Sequence, residues 1–571
     1  MNHCLIEEDK RKCKFKVGLY YEKPLIFVNV LLRVRIVSGE MEFDYVVIGA
    51  GSAGCVLANR LSASGRYRVL LLEAGPRDRY PWLHIPIGYA KTMFHPKYNW
   101  GYYTEPDPGM NGRSIYWPRG KVLGGSSSIN GLIYVRGQPE DYEHWSVLGN
   151  TGWSWQDVLP YFIRSERNER GQDSFHGEGG PQGVSDVSSP NALARAFIDA
   201  CVKAGYPANP DFNGESQEGA GPYQLTTWRG RRCSSATGYL KPAKGRSNLF
   251  IKTGAHVCRV GFSGIRADSV VFRQGGLEQT VSATREVILS AGALQSPQLL
   301  QLSGIGDAAL LKHHGIDVVL DRPAVGQNLQ DHLQVRVIHR CNQPLTTNDD
   351  MLSLWRKMRM GMQYVFQRSG PMAVGINQAG AFLRTRSEID RPDIQFHFAA
   401  LSADLPGAPL HDFPGFTTSV CQLRPTSRGH LSIKSADPMV CPEIHPGYLS
   451  TETDCRTVVD ALRVTRQIAA QPALSKYILD EYKPGQQLQS DEELLEFARD
   501  TGVTIFHPSG TCRMGRDNAA VVDAALNVRG VSGLRVVDCS IMPTLVSGNT
   551  HAPAVMIAEK ASDLILADAG S

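Results

Sequence analysis

The sequence lacks three features that would assign the protein to a specialised class. It has no apolar run of about 18 residues or more, which a membrane-spanning helix requires. Its 60 Lys and Arg against 56 Asp and Glu give a net charge of only +4, so no overall field recruits nucleic acid. Its 12 cysteines include no C-x-x-C pair, and in a chain this long their even number does not imply a disulfide framework.

A metal centre is not indicated either. The one adjacent histidine pair, His313-His314, lies in the polar stretch LKHHG, where a surface or core role is favoured over metal ligation. The 571 residues are 42% hydrophobic and 20% charged, which is typical of a globular protein with two to four domains. The chain is therefore long enough to bury a large core.

Residues 1–40 differ from the rest of the chain. The charged segment EEDKRKCKFK is followed by the short apolar run PLIFVNVLLRV, without the small-residue cleavage site of a secretory signal. We expect a dispensable extension, disordered or produced by a misassigned start codon ahead of Met41. A weak membrane-surface anchor is the alternative. The expected location is the cytoplasm, with at most peripheral contact with the inner membrane.

Residues 44–54, DYVVIGAGSAG, have the pattern of a dinucleotide-binding loop. A buried strand ends at the G-x-G-x-x-G motif, and the helix-compatible stretch CVLANRLSAS follows. In this motif Gly49 makes the tight turn, Gly51 lets a pyrophosphate approach, and Gly54 lets the helix pack on the strand. A second strand ends at Glu73, 19 residues after Gly54, where an acid would bind the adenosine ribose.

A second loop, RGKVLGGSSSING at 119–131, favours a flavin over a nicotinamide. Its glycines and serines leave a stretch of backbone without bulky side chains, which can lie against a wide heterocycle and direct N–H groups at its edge. A flexible linker is the other interpretation. It is disfavoured because apolar runs lie close on both sides of the loop.

Four segments together resemble the glucose-methanol-choline (GMC) family of FAD-dependent oxidoreductases. The segments GKVLGGSSSIN at 120–130 and GALQSPQLLQLSGIG at 292–306 are similar to the two family signatures. FHPSGTCRMG at 506–515 and VVDCSIMPTLVSGNTHAPAVMIAEKASDLI at 536–565 resemble its C-terminal block. The branch most resembled is that of the choline-dehydrogenase-like and aliphatic alcohol dehydrogenases.

The resemblance implies an α/β fold with two domains. A Rossmann-type FAD-binding domain would comprise residues 41–190, 231–330 and 505–571. A substrate domain of α+β type, built on an antiparallel sheet, would comprise 191–230 and 331–504. The apolar runs VILSAGA at 287–293 and LRVVDCS at 534–540 agree with this, because each has the pattern of a buried parallel strand that ends near the cofactor.

The resemblance also implies the site residues. His507 would be the general base and His551 the partner that holds the substrate oxygen, although the two roles could be exchanged. Ile129 occupies the position of the histidine through which some members attach the flavin, so a non-covalent FAD is expected. The expected cofactor-binding residues are Gly49, Gly51, Ser52, Ala53, Gly54, Glu73, Ala74, Val122, Gly124, Gly125, Ser126, Asn130, Gly131, Leu132, Val257, Asp538, Cys539 and Asn549.

Alcohol oxidation needs two groups beside one oxygen. Complete transfer of a hydroxyl proton to imidazole would cost roughly 12 kcal/mol, so a second group must stabilise the oxygen while the hydride leaves. The expected reaction is oxidation of an uncharged primary alcohol to the aldehyde, with a quinone or another carrier as acceptor. The alternatives are an oxidase that uses dioxygen, a choline dehydrogenase, a flavin-containing lyase of the hydroxynitrile type, and a catalytically silent FAD-binding module.

Two segments bear on the substrate. Choline-handling members carry a carboxylate two residues after the His of an Asp-His pair, and here the pair Asp331-His332 is followed by Leu333 and the neutral Gln334. Choline is therefore disfavoured. The stretch 351–372 contains five of the 13 methionines. Ordinary helix core is the preferred interpretation of this stretch, and the wall of a pocket for an uncharged alcohol is the alternative.

Overall fold

Runs of β-branched and aliphatic residues form a seven-stranded sheet in the described part of the chain, which comprises residues 41–187 and 190–570 of this computed structural model. The interpretation of residues 1–40 lies outside it. Six strands lie in the order Leu249–Thr253, Val69–Glu73, Met41–Ile48, Leu277–Leu289, Arg266–Gln274 and Ala255–Ser263, and Leu534–Val536 pairs beside Leu277–Leu289.

The sheet is parallel where the dinucleotide motif lies. Val69–Glu73 pairs in parallel with both Met41–Ile48 and Leu249–Thr253. The predicted strands near 287 and 534 are confirmed, because Val287–Leu289 pairs in parallel with Leu534–Val536. The carboxyl ends of these strands share one edge of the sheet, as a dinucleotide-binding unit requires.

A second seven-stranded sheet, within the same described ranges, is antiparallel throughout. It confirms the sheet type expected for the substrate side. Its strands lie in the order Ile478–Lys483, Leu333–Cys341, Gly415–Gln422, Ile394–Ala399, Asn377–Leu383 and Gly219–Pro222, and Val503–Thr504 pairs beside Leu333–Cys341.

Shorter two-stranded pairings connect the larger elements. They are Tyr102–Tyr103 with Tyr116–Trp117, Glu166–Asn168 with Gln182–Val184, Thr227–Trp228 with Arg231–Arg232, Ile305–Gly306 with Leu320–Asp321, and His430–Ser432 with Glu443–His445. The hairpin of Thr227–Trp228 and Arg231–Arg232 contacts the glycine-serine loop, because Arg232, its last residue, donates a hydrogen bond to Asn130.

The α-helices cover both sheets. They are Ser52–Leu61, Tyr89–Thr92, Pro139–Val147, Trp155–Ser165, Ala192–Lys203, Gln295–Leu302, Ala308–His313, Thr347–Leu352, Leu354–Gln367, Glu452–Ala469, Pro472–Ser475, Asp491–Thr501 and His551–Asp568. The first and last of these pack on each other over the parallel sheet and share its apolar core. Ala192–Lys203 and Glu452–Ala469 cover the antiparallel sheet and contribute to a second core.

Helix Leu354–Gln367 contradicts the sequence interpretation of the methionine-rich stretch as helix core. Only Tyr364 of this helix is buried, and Met358 and Met362 are half exposed. The spacing of its apolar residues is helical, as predicted, but the apolar face is directed away from the protein. Met351, just before the helix, does line the large cavity of the molecule.

The two sheets belong to one compact unit, Glu42–Ser571, and the boundaries of the proposed domains stay a prediction. All ten cysteines in the described ranges are free. No described helix combines the length and apolar character that crossing a bilayer requires.

Candidate active site

A cavity of about 790 Å³ opens at the carboxyl edge of the parallel sheet and extends to the antiparallel sheet. Most of the residues expected at the site line it. These are Gly49, Gly51, Ser52, Ala53, Glu73, Ala74, Gly125, Ser126, Asn130, Gly131, Leu132, Val257, His507, Asp538, Cys539, Asn549 and His551. Three expected cofactor residues, Gly54, Val122 and Gly124, do not line the cavity and lie just behind its wall.

The two glycine-rich loops pack directly on each other. The Gly124 backbone N–H donates to the Ala50 carbonyl at 2.8 Å. A Cβ on Gly125, whose φ is +54°, would lie 2.6 Å from the Gly51 Cα. Only glycine allows this approach, so the loop at 119–131 is held against the dinucleotide loop at the sheet edge.

Gly54 and Val122 support the site from behind. A Cβ on Gly54 would lie 1.8 Å from the Gly49 carbonyl oxygen, so glycine is what lets helix Ser52–Leu61 pack on the strand end. Val122 is fully buried in a small apolar cluster with Leu83, Tyr98 and Ile129. Neither residue offers a surface to a ligand.

The helix that begins at Ser52 suits a pyrophosphate. It has no side-chain cap and no acidic residue in its first turn, and Gly51, Ser52 and Ala53 line the cavity. Free N–H groups and the positive end of the helix dipole therefore face the space that a dinucleotide would fill. This donor set fits the diphosphate of FAD.

Glu73 is held in place by backbone N–H groups of the dinucleotide loop and of the residues that follow Glu73. Its carboxylate accepts from the Ala50 N–H at 3.0 Å and from the Gly75 N–H at 2.8 Å. Burial raises the pKa of this carboxyl to about 7. Each carboxylate oxygen has a further lone pair, so Glu73 can still accept from a ribose hydroxyl at the cavity wall.

A buried cation lies behind the glycine-serine loop. The Arg232 Nη1 donates to the Asn130 Oδ1 at 2.6 Å and to the Ser127 carbonyl at 3.2 Å. No described carboxylate pairs with Arg232, and burial lowers its pKa to about 9. Ile129 lines the cavity with a side chain that has no nucleophilic atom for a covalent flavin link.

The C-terminal block reaches the same edge through Asp538. One of its oxygens accepts from the Gly292 N–H at 2.8 Å and from the Ser296 hydroxyl at 2.6 Å. The other accepts from the Ser540 N–H at 2.8 Å. Asp538 thus ties the end of the central strand to the segment that carries the candidate catalytic residues.

His507 lies at the antiparallel side of the cavity. Its backbone N–H donates to the Asp331 Oδ1 at 2.7 Å, which fixes the start of the FHPSG loop. Its ring Nδ1 lies 3.0 Å from the His332 Nδ1, and its Nε2 lies 3.2 Å from the Asn549 Nδ2. Burial, with the nearby His332, His397 and Arg119, holds the pKa of His507 well below its usual range.

The hydrogen bonds of His332 determine which nitrogen of His507 carries the proton. The His332 Nε2 faces the Leu423 carbonyl at 2.8 Å, so it must be the donor nitrogen. Burial lowers the pKa of His332 to about 4, and the neutral ring therefore has an unprotonated Nδ1. That nitrogen accepts from the His507 Nδ1–H, which leaves the His507 Nε2 as a proton acceptor at the cavity wall.

His551 has different partners. Its Nε2 lies 3.3 Å from the Gln182 Oε1, and its Nδ1 lies 3.0 Å from the Ser52 hydroxyl oxygen. The Gln182 amide nitrogen donates to the Cys233 carbonyl, so its oxygen accepts from the histidine. Both ring nitrogens are thereby engaged, and the side chain in contact with the His507 Nε2 is that of Asn549.

Several further residues complete the site. His332 and Asp331 position His507, Gln395 donates to the Asn549 Oδ1 at 3.1 Å, and Arg232 holds Asn130. The sequence contained a signal for the Asp331-His332 pair but none for its role. The contact arises from strand register, since Leu333 pairs with Thr504 and the Ile505 N–H donates to the His332 carbonyl.

The far wall of the cavity carries no acid. Among the described residues that line it, Glu73 and Asp538 are the only carboxylates, and both lie on the cofactor side. The antiparallel sheet contributes Gln334, whose amide donates to the Thr504 carbonyl at 3.2 Å, and Arg336. Apolar side chains complete this end: Ile87, Met93, Phe94, Ile376, Leu401, Leu405 and Leu410. No described cluster of His, Cys, Asp or Glu could hold a metal ion.

Comparisons with known proteins agree with this geometry. The chain is 46% identical over 536 residues to mouse (Mus musculus) choline dehydrogenase, mitochondrial, which covers 92% of this chain and 90% of that protein. It is 44% identical over 527 residues to the alcohol dehydrogenase [acceptor] of Pseudomonas putida, covering 92% and 96%. Among solved structures, pyridoxine 4-oxidase from Mesorbium loti superposes with a TM-score of 0.83 at 33% identity, covering 91% and 98%.

Family models describe both halves of the cavity. One model for GMC oxidoreductase matches residues 43–334, which include both glycine-rich loops. A second model of the same description matches residues 425–558, which include His507 and Asn549. The chain belongs to the GMC oxidoreductase family.

Proposed function

We propose that the protein is an FAD-dependent dehydrogenase that oxidises an uncharged primary alcohol to the aldehyde, with the His507 Nε2 accepting the hydroxyl proton. The observation that carries this proposal is the tautomer chain from the Leu423 carbonyl through His332 to His507. It presents an unprotonated imidazole nitrogen to the cavity. Bound FAD supplies the hydride acceptor, the N5 atom of its ring, and Ile129 leaves the cofactor non-covalently bound.

His507 is ready to act as a base near neutral pH. Its lowered pKa keeps the ring neutral, so the Nε2 lone pair, which faces the Asn549 amide in this structure, can accept the proton of a hydroxyl that replaces that contact. Because imidazole is a far weaker base than an alkoxide, the proton moves to Nε2 as the hydride leaves rather than beforehand. The His332 Nδ1 holds the other end of the ring throughout.

Asn549 is proposed as the group that holds the substrate oxygen. Its Nδ2 lies 3.2 Å from the His507 Nε2, and Gln395 fixes the amide by donating to its Oδ1. A substrate hydroxyl that replaces this direct contact would donate to the histidine and accept from the amide. His551, bonded to Ser52 and Gln182, is instead proposed to position the first turn of the pyrophosphate-binding helix.

The cavity wall supports an alcohol without positive charge. Gln334 offers an amide where a counter-ion for a quaternary ammonium would be needed, and Arg336 beside it would repel a cation. Choline is therefore a weaker candidate than an apolar alcohol, although several relatives are named as choline dehydrogenases.

A quinone is the proposed electron acceptor. The relative from Pseudomonas putida is named with an unspecified acceptor, and relatives such as that of Photobacterium profundum are named as oxygen-dependent choline dehydrogenases. A quinone is dissolved in the lipid, so the proposal includes a cytoplasmic location with peripheral contact with the inner membrane. An oxidase is the alternative, and hydrogen peroxide released by the purified enzyme under air would identify it.

The test is anaerobic flavin reduction by primary alcohols graded in length, charge and aromaticity. We expect uncharged alcohols to bleach the flavin and choline to do so poorly. Strong reduction by choline alone would contradict the substrate assignment. No bleaching by any alcohol would favour a lyase or a silent FAD-binding protein.

Two variants and a matched control test the residue assignment. His507→Ala should slow flavin reduction by about 100-fold or more, since it removes the base. Asn549→Ala should slow it by about 100-fold, since it removes one preorganised donor. The control, His551→Gln, keeps a side chain able to bond to Ser52 or Gln182 and should stay within about tenfold of wild type. The opposite ranking of Asn549→Ala and His551→Gln would return the oxygen-holding role to His551.

A further inference from the structure

The most unusual surface of the molecule is the segment 351–366. Its large apolar side chains are exposed, with Trp355 at 74% and Phe366 at 81% of full exposure. We call the eight exposed residues the apolar face: Met351, Leu352, Leu354, Trp355, Met358, Met362, Val365 and Phe366. A contiguous apolar patch of this kind on a folded protein marks a surface that contacts another apolar phase.

The helix within this segment, Leu354–Gln367, is amphipathic, but its apolar side faces solvent instead of the protein core. At about 100° per residue, its six exposed apolar residues fall within an arc of about 120°. Tyr364, the one buried residue of the helix, lies about 140° from the centre of that arc. The helix is thus attached to the protein on the side of Tyr364, while its apolar side is left exposed.

Basic residues border the apolar face. Arg356, Lys357, Arg359 and Arg368 lie in the segment 351–368, which contains no Asp or Glu. On the helix, Lys357 and Arg359 flank the apolar arc on its two sides, and both side chains are exposed. Arg356 forms an ion pair with Asp350 at 3.5 Å, and the charge of Arg359 also acts on Asp350. An apolar face bordered by cations is typical of helices that lie in the interface of an anionic bilayer.

The apolar face also adjoins the cavity. Met351 lines the cavity and is itself 43% exposed, so the cavity reaches the surface at this point. The loop that faces it contributes Leu405, which is likewise exposed and lines the cavity. A partner bound to the apolar face would therefore lie next to the opening of the cavity.

We propose that the apolar face docks the protein on an anionic lipid bilayer, with the apolar side chains among the acyl chains and Lys357 and Arg359 at the headgroups. This deepens the proposed function, because an apolar alcohol and a lipid-dissolved quinone would both reach the cavity from the bilayer. The charge pattern distinguishes this partner from a second copy of the chain, because a symmetric interface through the apolar face would bring Lys357 and Arg359 of the two copies close together, where their charges repel.

Co-sedimentation of the FAD-loaded, full-length protein with vesicles tests the proposal. We expect binding to vesicles of phosphatidylcholine mixed with phosphatidylglycerol, and weaker binding to pure phosphatidylcholine. The double variant Trp355→Glu with Phe366→Glu should lose at least about tenfold in bound fraction on both vesicle types. The double variant Lys357→Gln with Arg359→Gln should lose affinity only for the anionic vesicles, by roughly fivefold for each charge.

Val147→Glu is the matched control. Val147 is 82% exposed at the end of helix Pro139–Val147, far from the cavity lining, and its replacement should leave vesicle binding unchanged. Flavin absorbance and alcohol oxidation with a water-soluble dye should stay at the wild-type level in every variant, which separates lost docking from lost catalysis or folding. Wild-type binding by the Trp355→Glu, Phe366→Glu variant would overturn the proposal. The proposal would also be overturned if the wild-type protein bound neither vesicle type and dimerised through the apolar face instead.

Discussion

The two sides of the cavity are built in different ways. The cofactor side is built mainly from two short glycine-rich loops, 49–54 and 119–131, whose backbones pack on each other. The proton-transfer side comes from single residues on distant segments: His332, Gln395, Leu423, His507 and Asn549. The first side depends on what the backbone can do, and the second depends on which side chains meet.

This difference predicts different kinds of damage. A Cβ on Gly49, Gly54 or Gly125 meets backbone atoms that cannot move, so the cofactor site should be lost as a whole. A change on the proton-transfer side removes one hydrogen bond from a chain of them, so the cofactor should stay bound while the rate falls. Three experiments, in decreasing order of expected effect, test whether the two sides of the cavity respond differently to substitution.

The largest effect is expected from Gly54→Ala. The new Cβ would lie 1.8 Å from the Gly49 carbonyl oxygen, so the helix can no longer pack on the strand end. We expect purified protein without bound FAD, measured by the flavin-to-protein absorbance ratio. Gly179→Ala is the control, because nothing lies within 4 Å of that Cβ and the position is exposed. A variant at Gly54 that retains stoichiometric FAD would contradict the argument from the backbone.

A smaller effect, on rate alone, is expected from His332→Phe. Without the His332 Nδ1, the His507 Nδ1–H loses its acceptor, and the ring no longer has a fixed tautomer. Flavin reduction should slow by about 10- to 100-fold with FAD still bound, and the acid limb of the pH–kcat/KM profile should move. His339→Phe is the control, since His339 is buried in the strand Leu333–Cys341, which begins directly after His332, and does not line the cavity. An unchanged pH profile would show that His332 only packs against His507 and does not set its tautomer.

The smallest effect concerns stability against pH. Burial lowers the pKa of His397 to about 3, so between its unfolded pKa of about 6.5 and that value only the unfolded chain binds the proton. Stability from this group is therefore present at high pH and lost as pH falls. His397→Phe should reduce the loss in free energy of unfolding between pH 8 and pH 5 by about 2 kcal/mol, as measured by chemical denaturation. Equal losses in variant and wild type would show that His397 is not held neutral.

The cofactor side was largely predictable. Gly49, Gly51 and Gly54 follow a strand and begin a helix, and local rules suffice to place them at a phosphate site. The strands that end near residues 289 and 536 were also predictable, because buried parallel strands appear as continuous apolar runs. Val122 and Gly124 were expected at the flavin, yet they support the loop from behind its wall.

The substrate side was predicted only in part. His507 and His551 both line the cavity, as expected, but the contact between His507 and Asn549 was not predicted, and the role of His551 at the substrate oxygen stays a prediction. The two candidates are two residues apart, and the last helix begins between them, so His551 on its first turn faces Ser52 while Asn549 before it faces His507. The sequence does not indicate whether the residue before the helix or the residue in its first turn faces the ligand.

The methionine-rich helix shows the same limit. Its period of about 3.6 residues predicted a helix, but periodicity alone does not say whether the apolar face is covered. The tertiary structure attaches the helix through its opposite side.

Local patterns were enough to identify the glycine motif at 49–54, the glycine-serine loop at 119–131 and the histidine of the C-terminal block, because these depend on backbone freedom and on short runs of adjacent residues. The partner of His507, the protonated nitrogen of its ring and the exposure of segment 351–366 follow from the way distant segments pack. Those properties depend on strand register and on which faces meet, and a hydrogen bond between residues 175 positions apart has no trace in the local sequence.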